Sequence, residues 1–255
     1  MAQALSGRVA VVTGGGRGIG RAVALALARD GARLAVAGRS EGPLAQVARE
    51  TGGLAVVCDV RREEDVTRLC ARVETELGPA DILVTGAGVA HSAPFARETL
   101  GGFREVVATN LEGTFLCLRA FVPGMIARRR GRIVCVASIA ARIGFRYTAA
   151  YCASKHGVLG LVRSLALEVA ERGVTVNAVC PGWTESDMAA AAIANIAAKT
   201  GRSEADARAE LSAQSPQKRL LAAAEVAAAV GFLASDEAAG VTGQALCVDG
   251  GSVMA

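Results

Sequence analysis

The chain has 255 residues, of which 52% are hydrophobic and 20% charged, and it carries a formal net charge of +4 at pH 7. This length and apolar content suit one large α/β domain with a well-buried core. Arginines are spread over the whole sequence with one dense cluster at 128–132, so a broad nucleic-acid surface is not indicated, although a local acidic partner stays open.

The seven cysteines form no C-x-x-C pair, and several lie inside apolar runs where a free thiol behaves as a small hydrophobe. This pattern favours a reducing, cytoplasmic compartment, and no metal site is predicted. The first residues lack a basic segment followed by an apolar one, and no uncharged apolar run reaches about 18 residues. We therefore expect a soluble protein that is neither exported nor membrane-spanning.

Short β-branched runs alternate with longer alanine- and leucine-rich helical patterns. The predicted strands cover residues 9–13, 34–38, 54–58, 82–85, 132–137, 174–179 and 245–248. Continuous apolar strands that are each followed by a helix are typical of a parallel sheet covered on both faces. The sequence therefore predicts a single doubly wound α/β Rossmann domain over residues 1–255, with about seven parallel strands.

Residues 184–220 interrupt this alternation with an alanine-rich stretch of helical character after the sixth predicted strand. In an open α/β sheet, an insertion after a late strand lies over the carboxyl edge of the sheet, where ligands bind. We expect this segment to form a helical lid over the substrate.

A glycine-rich turn, TGGGRGIG at 13–20, follows the first predicted strand and leads into the first helix. Glycines here let the backbone turn tightly and approach a dinucleotide pyrophosphate, while the helix N-terminus offers free N–H groups. The spacing alone is weak evidence in a chain with 30 glycines, so the prediction rests on its position after strand one. The predicted dinucleotide-binding residues of this turn are Gly14, Gly16, Arg17, Gly18, Ile19 and Gly20.

The end of the second strand indicates which dinucleotide is bound. Folds that use NAD usually place an acidic residue there for the ribose 2′-hydroxyl, whereas this chain has Gly38 followed by Arg39. A guanidinium at Arg39 attracts a 2′-phosphate, and Arg17 adds a second positive charge. NADP(H) is therefore the predicted cofactor, with NAD(H) as the alternative if Arg39 is only a solvated surface arginine.

The stretch YCASK at 151–155 holds one of the two tyrosines and one of the three lysines of the chain. On a helix over 151–171, Tyr151 and Lys155 lie one turn apart on the same face. A positive charge within about 4–6 Å of a phenol lowers its pKa, so Lys155 is predicted to make Tyr151 a proton shuttle near neutral pH. The alternative is a packed tyrosine beside a solvated lysine.

These motifs occur in an order that resembles the short-chain dehydrogenase/reductase family, over essentially the whole chain. The resemblance rests on the glycine turn, CDV at 58–60, Asn110, Ser138, YCASK at 151–155, NAVCPG at 177–182 and VTGQALCVDGG at 241–251. It implies that Tyr151 is the general acid in carbonyl reduction and the base in alcohol oxidation. It also implies that Lys155 lowers the pKa of Tyr151 and binds the nicotinamide ribose.

Further roles follow from the same resemblance. Ser138 is expected to hydrogen-bond the substrate oxygen, and Asn110 to hold a kink and a water of the proton relay. Asp59 is expected to contact the adenine amine. The remaining expected cofactor contacts are Val60 beside Asp59, Ala87 and Gly88 after strand four, the Pro181–Gly182 turn under the nicotinamide, Thr184, and Ser186 in place of the family's usual carboxamide-binding threonine.

One departure from the family pattern lies after strand four. The usual NNAG is TGAG at 85–88 here, so an asparagine side chain that commonly buttresses the cofactor site is missing. Gly86 has no side chain that replaces it, and Thr85 is expected to do so only in part.

The predicted substrate walls are mostly apolar and lie at 90–95, at 139–146 and around the start of the lid. The predicted substrate-binding residues are Ser138, Ala140, His91, Tyr151, Trp183 and Met188. His156 follows the lysine on a helix and is interpreted as a packing residue.

The sequence is also similar to the β-ketoacyl-thioester and polyketide ketoreductase branch of the family. The resulting hypothesis is an NADPH-dependent 3-oxoacyl-thioester reductase, with an acidic acyl carrier protein at Arg129 and Arg172 and a homotetrameric assembly. An arginine rim is equally the ordinary solvated surface of an arginine-rich protein. The alternatives are a secondary-alcohol, hydroxy-acid or sugar-type dehydrogenase, and a non-catalytic dinucleotide sensor, which would be expected to lack Ser138, Tyr151 or Lys155.

Overall fold

The computed structural model describes residues 4–254, and in this part of the chain seven parallel strands form one sheet in the order β3-β2-β1-β4-β5-β6-β7. This arrangement confirms the predicted parallel α/β fold. The strands are β1 (Val9–Thr13), β2 (Arg33–Gly38), β3 (Leu54–Val57), β4 (Ile82–Thr85), β5 (Gly131–Val136), β6 (Val174–Pro181) and β7 (Ala245–Val248).

Helices connect the strands and cover both faces of the sheet. They are α1 (Gly18–Arg29), α2 (Glu41–Thr51), α3 (Glu63–Glu76), α4 (Leu100–Val107), α5 (Gly113–Arg128), α6 (Ala149–Val169), α7 (Asp187–Thr200), α8 (Glu204–Ala213) and α9 (Ala223–Ala234). Short 3-10 turns lie at Phe95–Arg97, Ile139–Ala141, Ala170–Arg172 and Asp236–Ala238, and one π-helical turn lies at Ala108–Glu112.

The core consists of two apolar layers, one on each face of the sheet. One layer joins the sheet to α3, α5 and α6, and the other joins it to α1, α2 and α9. The strands β1, β4 and β6 are buried along their whole length, because their side chains meet helices on both sides. This double burial explains why the strands read as unbroken apolar runs in the sequence.

The strand order reverses at β1, because the chain adds β2 and β3 on one side and then crosses to β4 on the other. Ligands of open α/β sheets bind at the carboxyl ends of the strands beside such a reversal. Both the glycine turn after β1 and residues 86–88 after β4 lie there.

Residues 184–220 contain α7 and α8, which pack on each other around a small apolar cluster of their own. The lid role predicted for this segment is taken up below as a proposal. Strand and helix ends differ from the predictions by one or two residues: β6 runs to Pro181, and α6 begins at Ala149.

Within residues 4–254, no helix is both long and apolar enough to cross a membrane. The seven cysteines all lie in this part of the chain, and all are free thiols.

Candidate active site

The glycine turn brings backbone segments into close contact with one another. Gly14 and Gly18 have φ values of 69° and 49°, in the left-handed region that favours glycine. A Cβ on Gly14 would lie 2.7 Å from the Gly86 carbonyl oxygen, and one on Gly20 only 2.1 Å from the Gly14 oxygen. Helix α1 has Arg17 at its N-cap position, with no side-chain cap and no acidic residue in its first turn, so its positive end suits a pyrophosphate.

Thr13 supports the backbone that faces this turn. Its Oγ1 accepts from the amides of Gly86 and Ala87 at 3.2 and 3.5 Å. The Thr85 hydroxyl is buried beside the Cys135 thiol and has no oxygen or nitrogen partner among the described residues. The expectation that Thr85 compensates for the missing asparagine is therefore wrong, and Thr13 takes this part. A Cβ on Gly86 would lie 2.8 Å from the Thr13 carbonyl oxygen, so the site has no room for an asparagine there.

Asn110 lies fully buried in the single π-helical turn between α4 and α5. Its Oδ1 accepts from the Val89 amide at 2.8 Å, and its Nδ2 donates to the Val89 carbonyl at 2.9 Å and to Ser154 Oγ at 3.1 Å. Ser154 in turn donates to the carbonyl of Tyr151 at 2.8 Å. Asn110 thus joins the loop after β4 to the first turn of α6.

Lys155 and Tyr151 lie on one face of α6, as their spacing predicts. The Lys155 Nζ lies 5.7 Å from the centre of the Tyr151 ring and donates to the Val136 carbonyl at 2.8 Å. It also lies against Gly88, whose Cβ position is 3.7 Å away. Burial lowers the pKa of Lys155 from 10.5 to about 8, because the ammonium is removed from water.

The pKa of Tyr151 does not shift in the predicted direction. Burial raises it, and a hydrogen bond with Ser138 offsets that increase only in part. The prediction that Lys155 lowers this pKa is wrong for the structure as it stands, because burial of the phenol is the largest influence on its pKa. Tyr151 is therefore a protonated phenol at neutral pH, which is the form that donates a proton.

Ser138 follows β5 and caps the short 3-10 turn at 139–141. Its Oγ accepts from the Ala140 amide at 3.1 Å, so its hydroxyl hydrogen can be donated, and Ser138 also hydrogen-bonds the Tyr151 side chain. Ala140, predicted as a substrate contact, is 97% buried. The contact it makes at this site is the hydrogen bond from its backbone amide to Ser138.

The segment after β6 brings the start of α7 to the glycine turn. The Gly182 amide donates to the Val248 carbonyl at 2.9 Å, and Thr184 Oγ1 donates to the Gly182 carbonyl at 3.0 Å. Ser186 caps α7 by accepting from the Ala189 amide at 3.3 Å. The Ser186 Cβ lies 3.3 Å from the Cβ position of Gly18, so this residue borders the glycine turn. The cofactor contacts predicted for Pro181, Gly182 and Thr184 stay predictions.

The other predicted substrate residues are placed less directly. The Trp183 Nε1 donates to Gln214 Oε1 at 2.9 Å, and its ring packs on the cluster between α7 and α8. Met188 is exposed in the first turn of α7. The His91 Nε2 lies 2.9 Å from both carboxylate oxygens of Glu98. The substrate roles of these three residues stay predictions.

The ends of β2 and β3 form the other end of the predicted cofactor site. The Cys58 amide donates to the Gly38 carbonyl at 2.8 Å, which sets Arg39 and Asp59 side by side. Arg39 is exposed, whereas the Asp59 carboxylate is bound by the Arg61 guanidinium at 2.5–3.0 Å. Val60 is buried against Gly113, where a Cβ would lie 2.6 Å from Val60 Cγ2.

Arg129 and Arg172 lie together but far from this site. Arg129 donates to the Glu171 carbonyl at 2.6 Å, and its own carbonyl oxygen lies 2.4 Å from the Cβ position of Gly173. Both arginines precede the strands β5 and β6, whereas Ser138 and Gly182 follow them. The pair is thus at the amino edge of the sheet, opposite the catalytic candidates of the same chain.

Three structurally important residues are absent from the sequence-based predictions. Thr13 and Ser154 lie inside the quoted motifs, so their position was a usable signal. The sequence carries no signal that singles out Arg61, because it is one arginine among many in an arginine-rich chain.

Comparisons with known proteins agree with this geometry. The family described as "Enoyl-(Acyl carrier protein) reductase" matches residues 14–253. The 3-oxoacyl-[acyl-carrier-protein] reductase FabG of Escherichia coli strain K12 is 38% identical over 250 residues, which are 97% of this chain and 98% of that protein. Ketoacyl reductase 1 of the granaticin polyketide synthase from Streptomyces violaceoruber is 39% identical, covering 95% of this chain and 92% of its own.

Solved structures show the same similarity. An actinorhodin polyketide ketoreductase with NADPH superimposes with a TM-score of 0.94 at 39% identity over 99% of each chain. Levodione reductase superimposes with a TM-score of 0.92 at 33% identity, covering 96% of this chain and 97% of its own. The chain therefore belongs to the short-chain dehydrogenase/reductase family, and it is an oxidoreductase that interconverts carbonyl and alcohol groups with a nicotinamide dinucleotide.

Proposed function

We propose that this enzyme uses NADPH to reduce the ketone of a 3-oxoacyl thioester to a secondary alcohol. The observation that carries the proposal is full-length similarity, at 38–39% identity, to a 3-oxoacyl-carrier reductase and a polyketide ketoacyl reductase. Ser138, Tyr151 and Lys155 are all present at the edge of the sheet beside the glycine turn, which supports a catalytic protein over a dinucleotide sensor.

A bound nicotinamide supplies the hydride. In the proposed reaction, the Tyr151 phenol donates its proton to the substrate oxygen as negative charge grows there. The Ser138 hydroxyl, whose lone pair is held by the Ala140 amide, donates a second hydrogen bond to the same oxygen. Both donors are fixed before the substrate binds, so little reorganisation is needed during the reaction.

Lys155 and Asn110 support these donors. We assign to the Lys155 ammonium the binding of the nicotinamide ribose hydroxyls, since it lies beside Gly88 at the switch point of the sheet. Asn110 holds the Val89 backbone and the first turn of α6 in fixed positions, and a proton relay through a water at this residue is part of the proposal.

The choice of NADPH is supported by charge at the adenosine end. Arg39 replaces the acidic residue typical of NAD-binding folds and makes no ion pair among the residues the structure describes. Arg17 lies at the start of α1, where its only ion-pair partner in residues 4–254 is Asp187 at 4.0 Å. Both guanidiniums are exposed and suited to a 2′-phosphate.

An acyl chain is supported by the apolar rim of the site. Large apolar side chains are exposed on the loops before α4 and α6 and at the start of α7: Phe95, Ile143, Tyr147 and Met188. We propose that residues 184–220 act as the lid over this rim. The Asn195 side chain of α7 already donates to Ser92 Oγ at 3.2 Å, which joins the lid segment to the loop after β4.

The carrier partner and the assembly are coupled in this proposal. Because Arg129 and Arg172 lie at the amino edge of the sheet, an acidic carrier held there cannot face the site of the same chain. The carrier hypothesis therefore requires an assembly such as the proposed homotetramer, in which the carrier would serve the site of a neighbouring subunit. A cytoplasmic location is part of the proposal and is in keeping with seven free thiols.

The test compares substrates and cofactors. Purified enzyme is assayed with acetoacetyl-CoA and a carrier-linked 3-oxoacyl thioester, and in parallel with cyclic ketones, hydroxy acids and sugars, using NADPH and NADH. We expect the highest kcat/KM for a thioester with NADPH. Efficient oxidation of simple alcohols or sugars without thioester reduction would instead assign a secondary-alcohol or sugar-type dehydrogenase.

A further inference from the structure

Arg61, just after the residue expected to contact adenine, encloses the Asp59 carboxylate. Oδ1 of Asp59 accepts from the backbone amide of Arg61 at 3.1 Å and from its Nε at 2.9 Å. Oδ2 accepts from Nε at 3.0 Å and from a terminal guanidinium nitrogen at 2.5 Å. Arg61 therefore occupies both carboxylate oxygens in a forked arrangement, the strongest geometry for this pair.

The neighbouring arginine does not share this contact. Arg62 is directed at the acidic first turn of α3, where its Nε lies 4.0 Å from Glu64 and 3.7 Å from Asp65. The forked pair is thus a property of Arg61 alone within this loop, and Arg62 is a matched residue of equal charge in the same segment.

Arg39 completes the group of charges. It follows β2 at the position beside Asp59. The pKa of the Asp59 carboxyl is lowered mainly by Arg61, and Arg39 lies close enough for its charge to lower it further. The three side chains carry a sum of +1. Without Arg61 the sum is zero, and a bare carboxylate lies beside Arg39.

The other acidic groups near Arg39, Asp59 and Arg61 are Asp65 and Glu105, and neither of them lies against Arg39. Asp65 accepts from the Asp59 amide at 3.0 Å and is paired with Arg68 at 2.7 Å. Asp59 is the main cause of the raised pKa of the Arg61 guanidinium, and Glu105 of α4 is near enough to add to it. Neither acid contacts Arg39, so Asp59 is the negative charge that would act against a phosphate at this point.

We infer that Arg61 is a specificity-determining residue for the dinucleotide, acting through Asp59. By neutralising that carboxylate, it keeps Arg39 available to a 2′-phosphate, a group that an unscreened Asp59 would repel. This inference rests on the proposed use of NADPH. Arg61 is a positioning residue here, since its guanidinium is directed at Asp59.

The test measures equilibrium dissociation constants of NADPH and NADH by titration, without turnover. The variants are Arg61→Ala, Arg61→Lys, Asp59→Asn, the double variant Asp59→Asn/Arg61→Ala, and Arg62→Ala as the control. Arg61→Ala is expected to weaken NADPH binding roughly five- to tenfold, the effect of one unscreened charge several ångströms away, and to change NADH binding less than about twofold. Arg61→Lys should retain part of the NADPH affinity, and Arg62→Ala should bind both cofactors like the wild type.

The double variant decides whether Arg61 acts through Asp59. In the Asp59→Asn background there is no carboxylate to screen, so removing Arg61 should change NADPH affinity by less than about twofold. An equal loss in both backgrounds would overturn the inference, as would unchanged NADPH affinity in Arg61→Ala. Equal loss of NADPH and NADH affinity with a lowered Tm would assign Arg61 a purely structural role and also overturn it.

The same titrations separate this inference from the function it rests on. A wild-type enzyme that binds NADH more tightly than NADPH would refute the proposed cofactor. If the wild type prefers NADPH and Arg61→Ala has the same ratio of NADH to NADPH dissociation constants as the wild type, only the role of Arg61 is refuted.

Discussion

The Lys155 ammonium lies over the face of the Tyr151 ring, 5.7 Å from its centre, yet the pKa of Tyr151 is raised. Both groups are buried, and burial penalises the charged form of each: the pKa of Tyr151 rises while that of Lys155 falls to about 8. The pair thus favours a neutral phenol, ready to donate a proton. This arrangement suits the direction of carbonyl reduction.

Replacing the phenol tests this assignment. Tyr151→Phe removes the proton donor but keeps the ring that packs against Lys155, so kcat is expected to fall by about 10²–10⁴. The dissociation constant of NADPH should stay within about twofold. The measurements are steady-state turnover and cofactor titration, and a variant with wild-type kcat would remove Tyr151 from the mechanism.

Lys155 is expected to reduce the stability of the cofactor-free protein. The difference between the ordinary pKa of 10.5 and about 8 in the folded state corresponds to about 3 kcal/mol of penalty on the ammonium. Lys155→Met removes that penalty but leaves the Val136 carbonyl without its donor, which costs about 1 kcal/mol. The net gain of about 2 kcal/mol is expected to make the inactive variant melt about 4–8 °C higher than the wild type at pH 7.

The pH dependence of this effect has a definite sign. Below about pH 8 the lysine is protonated in both the folded and the unfolded state, and the penalty is complete. Between about 8 and 10.5 the folded state releases its proton first, so the stability of the wild type rises with pH relative to the variant. The gap between the two should narrow across this window; a gap that widens would contradict the assigned pKa direction.

The fold was predictable because both faces of the sheet are covered. The strand Ile82–Thr85 is fully buried, so its first three residues appear as an unbroken apolar run. The i, i+4 spacing of Tyr151 and Lys155 likewise follows from helix geometry alone. Even the distance of Arg129 from the site was implicit in the sequence, since this residue precedes a predicted strand whose far end carries Ser138.

Other features depend on tertiary surroundings that the sequence does not encode locally. Thr13 and Thr85 are register partners on adjacent strands, and both are threonines at the end of a strand. Which hydroxyl turns toward the Gly86 backbone is decided by packing. The pKa of Tyr151 depends on how much water is excluded from around the phenol. The backbone of Tyr147 is left-handed, with φ of 65°, where its carbonyl accepts from the Ala93 amide of a distant loop at 2.8 Å.

The glycine turn offers a steric test of cofactor binding. In Gly20→Ala the added Cβ would lie 2.1 Å from the Gly14 carbonyl oxygen, so the turn has to move away from its present path. We expect NADPH and NADH affinity both to fall more than about tenfold, because the phosphate-facing backbone is displaced. The control is Gly160→Ala on the exposed face of α6, where a Cβ meets nothing within 4 Å and affinity should stay within about twofold. Wild-type affinity in Gly20→Ala would show that pyrophosphate binding does not depend on this turn.

The carrier hypothesis makes a prediction that depends on the size of the substrate. Arg129→Glu and Arg172→Glu reverse charge at the amino edge of the sheet, on the far side from Tyr151, so the reaction itself should be unaffected. We expect kcat/KM to fall roughly tenfold or more with a carrier-linked 3-oxoacyl thioester, mainly through KM and most strongly at low salt. With acetoacetyl-CoA, kcat/KM should stay within about twofold, because a free thioester needs no docking surface on the protein. If both variants have the wild-type kcat/KM on the carrier-linked substrate, these arginines are ordinary solvated surface charges.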